Sequence, residues 1–230
     1  MPTLPTLQEL MTAGVHFGHS ASKWYPKMAP FIFGVKGGVH VMDLEKTQVS
    51  LQKAIEAIKE MVASGGQIIF VGTKKQSKDI VKKYAEECHM PYVTNRWLGG
   101  TLTNYGIIKK QIERLAQIKA DQASGGLDKY TKKERLGFEE EKKRLESLFG
   151  GLATLKGLPK LIFVVDIRHE ETVMREAKQL GIQVVAIVDS NVDPTEVAYP
   201  IPGNDDSVKS VDLITKVIAE AVREELQKIN

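Results

Sequence analysis

The chain is short of cysteine and of long apolar runs, and each shortage excludes something. Its one cysteine, Cys88, can neither close an internal disulfide nor furnish a Cys-based zinc knuckle, and it suits a reducing compartment. The first ten residues lack a basic start followed by an apolar stretch, so no secretory leader is expected. The longest apolar runs, such as Leu161 to Val165, are far too short to span a bilayer, and no membrane partner is expected. The phosphate-loop spacing G-x-x-x-x-G-K-[ST], the dinucleotide spacing G-x-G-x-x-G and the nucleophile elbow G-x-S-x-G are all missing. The pairs Gly37-Gly38, Gly99-Gly100 and Gly150-Gly151 complete none of them. No bound nucleotide is therefore expected.

What is present is ordinary globular chemistry: 230 residues, 42% hydrophobic and 27% charged, enough for one core with an appendage. The net charge of +3 says less than its distribution. Lys74 to Lys83 holds five lysines against Asp79 alone, and Asn104 to Lys156 holds twelve basic against eight acidic residues. From Asn204 onward the sign reverses, with four basic against six acidic. Local basic clusters on a mildly basic chain fit an anionic partner touched on particular faces.

Hydrophobic spacing sets out an α/β order. Phe31 to Met42 reads as two short strands around a Gly-rich turn, and Asp43 caps a helix carrying Leu51, Ile55, Ile58 and Val62. Gln67 to Val71, Leu161 to Val165 and Val184 to Val188 are apolar runs suited to strands buried on both faces. Helices are expected at Ser77–Cys88, Glu170–Leu180 and Ser207–Ile229, and Tyr92-Val93 begins a further strand. Such short alternation requires right-handed crossovers and a parallel sheet. Residues 104–156 carry no strand signal. Tyr105, Ile108, Ile112 and Leu115, then Leu145, Leu148, Leu152 and Leu155, repeat at three and four spacing around a polar middle, Ser124-Gly125-Gly126. That pattern describes an antiparallel coiled-coil hairpin. The expected fold is thus α/β, a Rossmann-like (flavodoxin-like) parallel sheet flanked by helices. Residues 1–103 and 157–230 form its discontinuous domain, with the hairpin inserted between them.

Three segments could carry function. VGTKKQS puts Lys74, Lys75 and Lys78 at a helix start, where backbone N–H groups already favour an anion, as backbone contacts to nucleic acid require. In RWLGGTLTN, Arg96 can fork onto a phosphate, Trp97 can stack a base or serve as a buried hinge, and Thr101, Thr103 and Asn104 offer short donors. After GVHFGH, the residues Lys23, Trp24, Tyr25 and Lys27 interleave charge with aromatics, which suits single-stranded or looped RNA. Asp166 and Asp189 end strands and could pair as carboxylates, although a strand-ending Asp more commonly caps the next turn. His19, in a Gly-flanked turn with its imidazole free to reach outward, could join Asp189 and Asp205 in holding a divalent metal such as zinc. Histidines satisfied by backbone hydrogen bonds are the commoner outcome. The competing class is an α/β enzyme acting on a phosphorylated small molecule at the strand C-termini.

GVHFGH with W-x-P-K-M, VGTKKQ, RWLGGTLTN, GLPKLIFVVD and D-S-N-x-D-P followed by IPGNDD, in that order from residue 14 to about 215, resemble the bacterial-type small-subunit ribosomal protein S-two family. The resemblance implies a Rossmann-like domain with a protruding coiled-coil hairpin, no nucleotide site and no catalysis. It implies docking on the cytoplasmic or organellar small subunit through ribosomal RNA and other small-subunit proteins. It further implies anchoring of the mRNA-binding ribosomal protein S-one. Val192, Gly203 and Tyr25 stand where the family often has Cys, Ala and Asn.

Overall fold

The computed structural model describes residues 4–229; residues 1–3 and 230, which the expected α/β domain included, lie outside the described residues. The order is α1 (Leu7–Thr12), β1 (Phe17–Ser20), β2 (Ile32–Lys36), β3 (Val39–Met42), α2 (Leu44–Ala63), β4 (Ile68–Val71), α3 (Lys78–Glu87), β5 (Tyr92–Val93), α4 (Tyr105–Ala123), α5 (Lys132–Phe149), β6 (Leu161–Val165), α6 (Glu171–Leu180), β7 (Gln183–Val188), β8 (Tyr199–Pro202) and α7 (Val208–Ile229).

Five strands, β5-β4-β6-β7-β8, form an all-parallel sheet. In chain order this is the 2-1-3-4-5 winding, and its direction reverses between β4 and β6. β6 is completely buried along its length, as a strand covered on both faces must be. Alternation then sorts its side chains. Leu161, Phe163 and Val165 face a core built with α2, α3 and α7, while Ile162 and Val164 face the α6 side. Phe70 and Phe163 meet edge to face across β4 and β6, with ring centroids 5.5 Å apart. Asp43 caps α2 by accepting from the Glu45 and Lys46 N–H groups, and Gly181 ends α6 at φ +67°.

A smaller antiparallel sheet, β1-β3-β2, lies beside this body. β2 and β3 are the two expected strands. β1 and β8 had no sequence expectation, and both lie at sheet edges.

Residues 104–156 contain no strand, and α4 and α5 pair through Arg114–Glu141 and Lys119–Glu146 ion pairs. The second apolar seam is broken, however. α5 ends at Phe149 and a 3-10 turn, Gly150–Leu152, follows, so Leu152 and Leu155 pack from outside the helix. The buried residues Ile108, Leu115, Ile118, Leu145 and Phe149 belong to the same apolar cluster as Ile162 and Val164 of the sheet.

Candidate nucleic-acid interface

Because the five strands are parallel, the segments leaving β4, β5, β6, β7 and β8 all emerge at one edge of the sheet. That edge gathers Lys74–Lys78, Arg96–Asn104, Asp166, Asp189 and Asp205. It also receives the N-terminal segment, since the Tyr25 N–H donates to the Ser190 carbonyl at 2.7 Å.

At the reversal point between β4 and β6, Lys74 turns inward. Its ammonium contacts Asp166, lies 2.8 Å from Asp206 Oδ1 and 3.5 Å from Asp205 Oδ1, and keeps only 18% of its side chain exposed. Burial alone would push the Lys74 pKa down, but Asp205, Asp166 and Asp206 outweigh it and hold the pKa above its ordinary value. Asp205 is 2% exposed. Burial, then repulsion from Asp166 and Asp189, pushes its carboxyl up to about 8 against the pull of Lys74. Asp166, in the left-handed region at φ +65°, also caps the following turn by accepting from the Arg168 and His169 N–H groups. A nucleotide phosphate placed beside Lys74 would meet carboxylates, so this reversal point disfavours the ligand that such windings commonly take there.

The segment after β5 is organised by a residue with no sequence expectation. Glu176, on the buried face of α6, is 7% exposed. Its Oε1 accepts from the Trp97 indole N–H (3.1 Å) and the Gly100 N–H (2.8 Å). Its Oε2 accepts from the N–H groups of Leu102 (2.9 Å) and Thr103 (3.1 Å) and from the Thr103 hydroxyl (3.2 Å). Burial raises the Glu176 pKa, but the Thr103 and Leu102 amides, with the Trp97 and Gly100 donors, outweigh it and lower the pKa overall. Trp97 is buried, which is the hinge alternative, and Thr101 is buried with its hydroxyl on the Leu98 carbonyl at 2.6 Å. Arg96 and Asn104 are exposed; Asn104 sits at the N-cap of α4 without a side-chain cap bond.

Of the other expected RNA contacts, Lys23 and Lys75 are exposed and Lys78, the first residue of α3, is half-buried. Trp24 is 40% exposed, with its ring centroid 5.3 Å from that of His40. Lys27 is paired, its ammonium 2.7 Å from Asp193 Oδ2 and 3.0 Å from the Thr195 hydroxyl.

His19 does not lie in a free turn. It is in β1, where Gly18 lets the backbone approach so closely that an added Cβ would come within 2.9 Å of the Ser190 hydroxyl. The His19 N–H therefore reaches Asp189 Oδ1 (3.1 Å) and the Ser190 hydroxyl (2.9 Å), and its Nδ1 sits 2.9 Å from Asp189 Oδ2. The Asp189 hydrogen bond raises the His19 pKa despite burial. Asp205, the third expected metal ligand, faces Lys74 instead, although its Oδ1 has no hydrogen-bond partner. Asn204 shapes the turn before α7, its Oδ1 accepting from the Asp206 and Ser207 N–H groups. Among the described residues, no group of three or more His, Cys, Asp or Glu is placed to hold a metal ion.

Glu176 and Glu170 are organising residues with no expected site role. Glu170 accepts from both the N–H (2.8 Å) and the hydroxyl (2.6 Å) of Thr73. Glu176 did leave a sequence signal: an acid on the apolar face of α6, one turn from Val173 and next to Ala177.

Residues 10–225 match the model of the family described as Ribosomal protein S2. The small ribosomal subunit protein uS2 of Chlorobaculum tepidum is 48% identical over 224 residues, covering 97% of this chain and 90% of that protein. The uS2 proteins of Mycolicibacterium paratuberculosis and Nitratiruptor sp. are 47% and 45% identical, with 96% and 95% of this chain and 80% and 82% of those proteins covered.

Proposed function

The chain belongs to the ribosomal protein S2 family, structural and non-enzymatic components of the small ribosomal subunit, and from that premise we propose that it binds small-subunit ribosomal RNA and neighbouring ribosomal proteins and supports subunit assembly. RNA is held chiefly through its backbone, by cations scattered along one edge rather than by a pocket. The observation that carries this reading is the edge itself. Strand polarity brings Lys75, Lys78, Arg96 and Asn104 to the side where Lys23 and Trp24 also arrive. Lys74 and Thr101, turned inward, support that surface from behind, while Lys27 and Thr103 are exposed on it with hydrogen bonds already made within the protein. The protein works on the ribosome, in the bacterial cytoplasm or an organelle.

Protein contacts suit the small sheet, where Phe33 and Val35 of β2 are 81% and 56% exposed. Anchoring of ribosomal protein S-one belongs to the same reading. A divalent ion such as zinc at His19, Asp189 and Asp205 is a further proposal. It must compete with the Lys74 ammonium, and metal analysis of the purified protein beside His19→Ala and Asp189→Asn tests it. Equal metal in all three sinks it.

The RNA reading is tested by affinity for small-subunit ribosomal RNA across a salt series. Lys75→Ala with Lys78→Ala should flatten the log–log salt dependence by roughly 1.4–1.8, about 0.7–0.9 for each phosphate no longer neutralised. An unchanged slope means these lysines face only solvent.

A further inference from the structure

We infer that Glu176 is the positioning residue of the RNA-facing loop: its buried carboxylate gathers the backbone of Gly100–Thr103 and so sets where Arg96 and Asn104 are presented. This rests on the RNA reading above and adds to it a residue that touches no RNA.

The loop would not hold this shape by itself. Gly100 lies at φ +92°, and the N–H groups of Gly100, Leu102 and Thr103 converge on one point. Converging amides form a concavity that favours an anion. In this fold the anion is internal. Glu176 accepts five hydrogen bonds at 2.8–3.2 Å, two at Oε1 and three at Oε2. A carboxylate has about four lone-pair sites, so its capacity is filled. The loop amides are therefore unavailable to a phosphate, and recognition passes to the side chains flanking the clamp. Arg96 precedes Trp97, whose indole N–H is the first donor; Asn104 follows Thr103, whose amide and hydroxyl are the last. Both flanking residues are exposed. The clamp also ties the loop to α6, whose Val173 and Ala177 are fully buried in the core. The loop is thereby referenced to the rigid sheet rather than to α4 alone.

The chemistry allows no close substitute. Every partner of Glu176 is a donor. Glu176→Gln turns one acceptor oxygen into an NH2 group facing two or three N–H or O–H groups, so at least two hydrogen bonds disappear without a change of volume.

The test uses the full chain and two readouts. Amide hydrogen exchange of free Glu176→Gln should quicken at least tenfold at Gly100, Leu102 and Thr103, with β4 and β6 amides unchanged. Affinity for salt-washed small subunits lacking this protein should fall about tenfold, as it should for Arg96→Ala. If Arg96→Ala weakens binding but Glu176→Gln does not, the positioning role is overturned. The same holds if the loop amides stay protected. If Arg96→Ala binds like wild type, the RNA reading of this loop fails instead. Should Glu176→Gln not fold, Trp97→Phe removes a single donor from the clamp, and the same two readouts decide by the same criteria.

Discussion

Replacing Lys74 with Met removes the ammonium and keeps most of the apolar stem, so it isolates the charge at the reversal point. Asp206 is 48% exposed, and its pair is screened to about 0–1 kcal/mol. Asp205 is different. At 3.5 Å and 2% side-chain exposure, its attraction to Lys74, once its carboxyl ionises as pH passes about 8, is about 5 kcal/mol at an effective dielectric constant of about 20. Asp166, 8% exposed, adds a second buried partner. Part of this attraction offsets the cost of desolvating the charges. Leaving buried carboxylates unpaired therefore costs about 3–5 kcal/mol net. The pH dependence follows from Asp205. Its folded pKa, about 8, lies above the ordinary 3.8, so between those values the native state holds a proton that the unfolded state has released. Stability then falls as pH rises through that window. Without Lys74 the folded pKa moves higher still, so the deficit of Lys74→Met grows from pH 5.5 to pH 8.5. Urea unfolding followed by circular dichroism should give a midpoint about 1–2 M lower at pH 8.5 and a smaller drop at pH 5.5. A destabilisation below about 1 kcal/mol at pH 8.5, or one larger at pH 5.5, refutes the buried network. The same variant should leave the salt slope of RNA binding unchanged.

His19→Ala should show the opposite pH trend. The Asp189 bond raises the His19 pKa, so its stabilisation is present below the ordinary histidine pKa and fades as pH rises through the folded value; unfolding at pH 5.5 and 8.5 reads the difference. Phe163→Ala, from the centre of β6, should cost about 3–5 kcal/mol in denaturant unfolding. Residues 104–156 are proposed as an appendage of the α/β domain. Deleting Ile108 to Leu148 with a Gly/Ser linker should therefore leave cooperative thermal unfolding, at a cost of about 1.5–3 kcal/mol for each sheet-side apolar side chain that loses its cover from Ile108, Leu115, Ile118 or Leu145. Loss of all cooperativity would place those helices in the main core.

Strands β4, β6 and β7 were legible because burial on both faces requires unbroken apolar runs, and IIFV, LIFVV and VVAIV carry that requirement locally. β1 and β8 were hidden by their edges. β1 is a half-exposed four-residue strand containing Gly18, and β8 contains Pro200 and Pro202, which an edge tolerates and a central strand does not. The apolar spacing through Leu152 and Leu155 suggested more helix than exists. At Gly151 an added Cβ would stand 2.3 Å from the Tyr92 carbonyl, so the chain there packs tightly on β5 and leaves the helix. The cations of the edge could be found from sequence; their partners could not. Lys74 and Asp206 are 132 positions apart, and Trp97 and Glu176 are 79 apart. No local pattern shows which lysine is consumed internally and which is presented.

The central claim, a structural protein of the small ribosomal subunit, is met most directly by sedimentation. A gentle lysate of the source cell is resolved on a sucrose gradient at low salt and each fraction is blotted for this chain. The account expects it with small subunits and whole ribosomes, in near-constant ratio to small-subunit RNA, and released as salt is raised. Retention at the top of the gradient, away from small subunits at low salt, would contradict it.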